Sequence, residues 1–273
     1  MEKKDGIKVV ILCGGRGTRL AEETTYRPKP MVMIGDRPIL QHIMEIYSAA
    51  GYREFILPLG YKGEMIMDYF LNFDLYTNDF TLELGDGPKK IIPHTSRHPG
   101  WRITMARTGE DTLTGGRIKR IRKYLGDDRT FMVTYGDGVA DIDLAELLAA
   151  HRRMGKLATV TGVRPINRFG ELTVSGGLVG EFREKPQTEQ GLINGGFFVF
   201  EQGVFEYLDF DGALEREPLE RLARDGQLAI YEHRGFWHCM DTFRDMEKLN
   251  RYWAEGSPPW AKPAASGGRV GHE

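Results

Sequence analysis

A short run of aliphatic residues, Val9-Val10-Ile11-Leu12, reads as a buried strand, and it runs through Cys13 into Gly14-Gly15-Arg16-Gly17. Glycine permits positive φ and close approach of the backbone to a ligand. Thr18-Arg19-Leu20-Ala21-Glu22 then reads as a helix start. A strand, a glycine loop and a helix N-terminus in series form a phosphate-binding arrangement, because free N–H groups and the helix dipole face the anion. Shortly after comes Arg27-Pro28-Lys29-Pro30, a stiff turn carrying cations. A glycine turn after a strand also serves as a plain tight connection. Arg16, Arg19 and Lys29 together favour a triphosphate cradle. The loop lacks the G-x-x-x-x-G-K-[ST] pattern. It also lacks the third glycine of a dinucleotide fingerprint, since Leu20 stands there.

The first part of the chain alternates strands with amphipathic helices. Pro38 to Tyr47 places apolar residues at i, i+3, i+4 and i+7, Glu54 to Leu59 is a second strand, and Gly63 to Leu71 a second helix. This rhythm predicts a parallel sheet with helices on both faces. From Asn72 to about Gly109 it breaks. Phe80–Leu84 and Trp101–Met105 alternate apolar with polar residues and read as an antiparallel insertion. A helix carrying Ile118, Ile121 and Leu125 follows, then a strand at Thr130–Tyr135, a helix at Leu144–Met154 and a strand at Leu157–Val163. Beyond Pro165, Phe169–Phe182 reads as a hairpin turning at Ser175-Gly176-Gly177. Asn194–Phe200 and Leu228–His233 are strands, and Arg244–Trp253 is a helix. We read residues 1–260 as one domain in two halves, 1–163 and 164–260, followed by a disordered Gly/Ala-rich tail at 261–273.

The 273 residues suffice for a substantial core. A net charge of −2 argues against a general surface for nucleic acid or anionic membrane. No apolar run approaches the ~20 residues that span a bilayer. The polar Met1–Lys8 segment carries no secretory signal, so we expect a soluble, cytoplasmic protein. Cys13 and Cys239 read as buried thiols and make no disulfide framework.

Three residues stand out chemically. Asp137 follows a strand between two glycines, where α/β sheets bind ligands. A carboxylate there suits Mg²⁺, which uses one or two carboxylates plus substrate phosphates; it equally suits an Asp-Gly turn. Asp241 follows another strand and precedes a helix, so it reads as a metal ligand or as a helix N-cap. Asp141 and Asp143 read as turn or cap residues. Lys185, in Glu184-Lys185-Pro186, reads as a solvated surface lysine unless a substrate claims it.

Gly14-Gly15-Arg16-Gly17-Thr18-Arg19-Leu20 followed by Pro28-Lys29-Pro30 resembles the signature of the sugar-1-phosphate nucleotidyltransferases. The likeness extends to about Trp260. Within that family, Thr108–Arg117, Tyr61-Lys62-Gly63, Tyr135–Asp141 and Gly235-Phe236-Trp237 before Met240-Asp241-Thr242 resemble the glucose-1-phosphate cytidylyltransferases. Relatives that use thymidine or uridine triphosphate present a glutamine-containing loop near Thr112, and this chain has none. The resemblance implies a Rossmann-like three-layer α/β/α fold with a mixed, mostly parallel sheet and a small antiparallel insertion. It implies CTP and glucose 1-phosphate as substrates, Mg²⁺ as cofactor on Asp137 and Asp241, and a homo-oligomer. Catalytic roles fall on Arg19, Lys29, Asp137 and Lys185. Leu12, Cys13, Gly14, Gly15, Arg16, Gly17, Thr18, Arg19, Lys29, Thr112, Arg117 and Gly136 would bind nucleotide. Tyr135, Gly170, Glu184, Lys185, Asn194 and Gly195 would bind sugar phosphate. Another base or sugar, or a sensor without catalysis, are the competing readings.

Overall fold

The computed structural model describes residues 6–85, 87–94, 99–164 and 191–261, and the backbone of 171–175 and 178–183. Strands β1 (Val9–Leu12), β2 (Glu54–Leu59), β3 (Arg102–Arg107), β4 (Thr130–Tyr135), β5 (Ala158–Val163), β6 (Phe198–Glu201) and β7 (Leu228–His233) build the central sheet, with the short strand Ile193–Asn194. β4, β1, β2 and β3 lie side by side and parallel. β6 joins β4 to β5 by antiparallel pairing, and β7 lies parallel to β5. The sheet is therefore mixed and mostly parallel. The carboxyl ends of β1, β2 and β4 fall on one edge, where Leu12 pairs with Tyr135 and Cys13 bridges Leu59.

Alternation along β1 explains the three layers. Val9 and Ile11 face a core with Ile39, Leu40, Ile43 and Tyr47 of helix α1 (Ile39–Ala49) and Leu147 of α4 (Leu144–Met154). Val10 and Leu12 face the opposite core, with Ile118, Ile121 and Leu125 of α3 (Thr114–Leu125) and Leu222 of α5 (Glu217–Arg224). Helix α2 (Gly63–Leu71) adds Ile66 to the first core, and α6 (Phe243–Ala254) adds Leu249. Each such side chain, fully buried, contributes about 1.5–3 kcal/mol. Asp143 caps α4, accepting from the N–H groups of Ala145 and Glu146 at 3.0 Å.

The end of the described chain closes over its beginning. Trp253 lies against Gly35, where a Cβ would sit 2.0 Å from the indole, and its ring is 4.9 Å from that of His42. The Trp260 indole donates to His42 Nδ1 at 3.3 Å.

Two sequence expectations need correction. Phe80–Glu83 does form an antiparallel hairpin, but with Lys90–Pro93, whereas Arg102–Arg107 joins the main sheet parallel to β2. Its alternating pattern arises because it ends the row of strands and stays partly exposed, unlike the continuous apolar runs buried inside a parallel sheet. Asn194–Phe200 is also not one strand. Ile193–Asn194 and β6 both pair with β5, but the register slips between them at Gly195–Phe197, where Gly196 has φ +76° and Phe197 φ +47°.

Candidate active site

The glycine loop follows β1 at the shared edge. Gly17 holds a left-handed conformation, φ +62°, that glycine adopts without strain. The expected helix is shorter than its sequence suggests: Thr18–Leu20 is a 3-10 turn and Ala21–Thr24 a single α turn. A dipole this short adds little. The charge for an anion comes instead from Arg19, on that turn, and Lys29, on a second 3-10 turn, Lys29–Met31.

A small ribbon brings the two aspartates together. Trp237–Cys239 pairs antiparallel with Gly138–Ala140, and Met240 N donates to Asp137 O at 2.8 Å. Lys29 Nζ then donates to Asp137 Oδ2 at 2.6 Å and to Asp241 Oδ1 at 2.7 Å, while Arg19 Nη1 donates to Asp241 Oδ2 at 2.7 Å. Burial opposes the charge on Lys29, but its two carboxylate partners outweigh it and hold the ammonium above the ordinary lysine range. Asp241 is not the cap of α6. Thr242 is, in a capping box with Asp245. Asp245 Oδ2 also accepts from Asp241 N at 3.2 Å, which fixes the direction of that backbone.

Cys239 completes the cluster. Donor atoms of Asp137, Cys239 and Asp241 lie within 4.8 Å of one another. Burial, then the Asp137 carboxylate, pushes the Cys239 thiol up, so it remains protonated at neutral pH and leaves two carboxylates as the anionic ligands. That donor set fits a hard divalent cation. Cys13, fully buried, donates to Ile11 O at 3.2 Å.

Arg117, assigned to the nucleotide by resemblance, lies buried among main-chain acceptors. Its guanidinium donates to Leu59 O at 3.1 Å, Thr108 Oγ1 at 2.7 Å, Gly109 O at 2.8 Å, Gly14 O at 2.9 Å and Glu110 O at 3.0 Å. A Cβ on Gly14 would lie 2.0 Å from this guanidinium, and one on Gly60 2.5 Å away. Gly14 thus makes room for Arg117, and Arg117 ties the loops after β1, β2 and β3 together. Thr112 closes the same turn, donating to Thr108 O at 2.6 Å. Arg16 stands exposed at the rim, 2.9 Å from Asp111 and 3.0 Å from Glu110. Gly15 faces open space, and Gly136 packs against Leu12 O and Pro30.

At the other end of the edge, Tyr135 OH donates to Glu215 Oε1 at 2.8 Å and accepts from Asn194 Nδ2 at 3.0 Å. Burial, then Glu215, raises the Tyr135 phenol, so it stays a donor. Thr114 Oγ1 donates to Glu215 Oε2 at 2.6 Å, which links this group to the start of α3. Trp237 Nε1 donates to Gly195 O at 2.8 Å. Glu215 had no signal in the sequence, since it sits in an aperiodic polar loop. Gly170, Glu184 and Lys185 lie outside the described residues.

A family profile described as nucleotidyl transferase matches residues 8–253. The chain belongs to that family. This nucleotidyl transferase is 48% identical over 258 residues to a Bacillus subtilis (strain 168) protein named probable glucose-1-phosphate cytidylyltransferase, covering 93% of this chain and 99% of the relative. It is 46% identical over 255 residues to the glucose-1-phosphate cytidylyltransferase of Salmonella typhi, covering 93% and 98%. Its fold matches the crystal structure of HddC from Yersinia pseudotuberculosis with a TM-score of 0.67 at 24% identity, covering 90% of this chain and 99% of that one. Nucleotidyl transferases generally use a divalent metal, in keeping with the acidic cluster. Among the described residues no helix is long and apolar enough to cross a membrane.

Proposed function

We propose that this enzyme transfers a cytidylyl group from CTP to α-D-glucose 1-phosphate, giving CDP-glucose and pyrophosphate. One observation carries the chemistry: Lys29 and Arg19, next to the glycine loop, converge on the Asp137–Asp241 pair. The near full-length likeness to glucose-1-phosphate cytidylyltransferases supports the base and the sugar.

A sugar-phosphate oxygen attacks the α-phosphorus in line, opposite the departing pyrophosphate. Such transfers depend on positioning and charge stabilisation rather than on a protein nucleophile. The loop from Leu12 to Thr18 holds the triphosphate against Arg19 and Lys29. Arg117 and Thr112 shape the wall beside it, and Gly136 lets Pro30 and Leu12 close behind. Tyr135, Asn194 and Gly195 receive the sugar, with Gly170, Glu184 and Lys185 contributing to its phosphate. Asp137 and Asp241 would hold Mg²⁺, which would supply Lewis-acid charge to the phosphates. The nucleotide half, 1–163, and the sugar-phosphate half, 164–260, act as one domain in the cytoplasm. The enzyme works as a homo-oligomer; the exposed apolar side chains of the Phe80–Pro93 hairpin, Phe80, Leu82 and Ile91, support an assembly surface there.

Pyrophosphate release measured across CTP, UTP, dTTP and GTP tests this reading. CTP should give the highest kcat/KM with glucose 1-phosphate. A kcat/KM for UTP or dTTP equal to that for CTP overturns the cytidylyl assignment, and no release with any pair overturns catalysis.

A further inference from the structure

The Lys29 ammonium sits between the two carboxylates that would hold a divalent cation. Asp137 Oδ2 and Asp241 Oδ1 both accept from Lys29, and Asp241 Oδ2 accepts from Arg19. Two negative charges are thus already matched by two positive ones. Lys29 is mostly buried, with its side chain 11% exposed, so water screens this arrangement poorly. We propose that Lys29 is a resident cation which the metal must replace, and that the nucleotide triphosphate drives the exchange by drawing Lys29 and Arg19 onto its phosphates. This rests on the reading of Asp137 and Asp241 as the metal pair.

Charge and geometry make the exchange favourable only as a concerted event. A divalent ion entering alone would face Lys29 at contact distance, and like charges at such range repel strongly. Lys29 leaving alone would abandon two adjacent carboxylates, which also repel. With the triphosphate present, Lys29 and Arg19 move from carboxylate to phosphate oxygens, and the divalent ion brings the two positive charges they withdraw. Each anion keeps a cation throughout. Metal and nucleotide therefore bind with positive coupling, and by linkage each raises the affinity for the other equally. Lys29 needs no large movement for this, because Lys29 and the glycine loop already adjoin: a Cβ on Gly17 would lie 3.2 Å from Lys29 Cβ.

The test is binding of Mn²⁺ to the full-length protein without nucleotide, read from the loss of the free-ion electron paramagnetic resonance signal. Lys29→Met removes the competitor and nearly keeps its length. It should bind one Mn²⁺ per chain at least about tenfold more tightly than wild type, within the 5–150-fold usual for such couplings. Mn²⁺ should also raise the Tm of Lys29→Met and leave that of wild type unmoved, since a ligand stabilises only the state it binds. Lys29→Arg keeps the charge and should behave as wild type. Lys29→Met combined with Asp137→Asn should lose the new binding. If wild type binds Mn²⁺ without nucleotide as tightly as Lys29→Met, the exchange is overturned and the metal pair stands. If Lys29→Met does not bind Mn²⁺ either, the exchange is overturned, and turnover of Asp137→Asn with Mg²⁺ decides the metal pair independently.

Discussion

The two ends of the catalytic edge are built on different physics. At the end we propose for the nucleotide, Arg19, Lys29, Asp137 and Asp241 come from four separate segments and meet as charges. At the end we propose for the sugar, Tyr135, Asn194, Thr114 and Glu215 meet through hydrogen bonds with a single formal charge among them. A charged cluster is matched internally until a charged substrate rearranges it. A hydrogen-bonded cluster is already in its working geometry and only has to admit hydroxyl groups. The first end should therefore control turnover and the second should control affinity for the sugar phosphate.

The strongest way to break this contrast is at the aspartates. Asp137→Asn and Asp241→Asn keep shape and remove charge, and each should lower kcat by roughly 100-fold or more, since a bound ion contributes several kcal/mol to the transition state. The double variant should be little worse than either single one, because both disable one shared ion. Wild-type kcat in either variant would return Asp137 to a turn and Asp241 to a backbone support. Next in size is Arg117→Met, which takes the side-chain donor from Gly109 O and Glu110 O and one of the donors from Leu59 O and Gly14 O. Denaturant unfolding should show a loss of about 3 kcal/mol, at about 1–3 kcal/mol for each orphaned group; an unchanged unfolding midpoint would show that the loops after β1, β2 and β3 hold without it. The smallest effect belongs to the sugar end. Glu215→Ala should raise the KM for glucose 1-phosphate about 3- to 10-fold, the scale of one hydrogen bond, and leave kcat and the KM for CTP nearly unchanged. Glu215→Gln, which still accepts from Tyr135, should recover much of it. An equal rise in both KM values would mean that Glu215 only steadies α3.

Much of this was legible in the sequence, for physical reasons. Strands buried on both faces announce themselves as continuous apolar runs, and Val9–Leu12, Glu54–Leu59 and Thr130–Tyr135 lie where those runs predict. Asp137 could be placed at a strand end beside a glycine. Its pairing with Asp241 is legible only through the family resemblance, because the ribbon Trp237–Cys239 that delivers Asp241 is a three-residue pairing with no periodic signal. Arg117 illustrates the reverse problem. Its family motif is plain in the sequence, whereas its burial among main-chain carbonyls depends on three loops converging. Arg102–Arg107 misled because an edge strand alternates like a hairpin strand, and only the partner distinguishes them.

The closure of Trp253 and Trp260 over Gly35 and His42 has a consequence for how the protein is made. A ribosome adds roughly 5–20 residues per second. Gly35 and the helix that carries His42 therefore emerge some 10–40 s before the tryptophans that will cover them. Through that interval His42 on α1 has no cover, and Asp137, once made, has no Asp241 beside it. An interrupted chain that stops before Asp241 retains the glycine loop, yet it leaves His42 uncovered and cannot assemble the acidic pair. The segment that carries Asp241, Trp253 and Trp260 thus completes both the cover over His42 and the acidic pair.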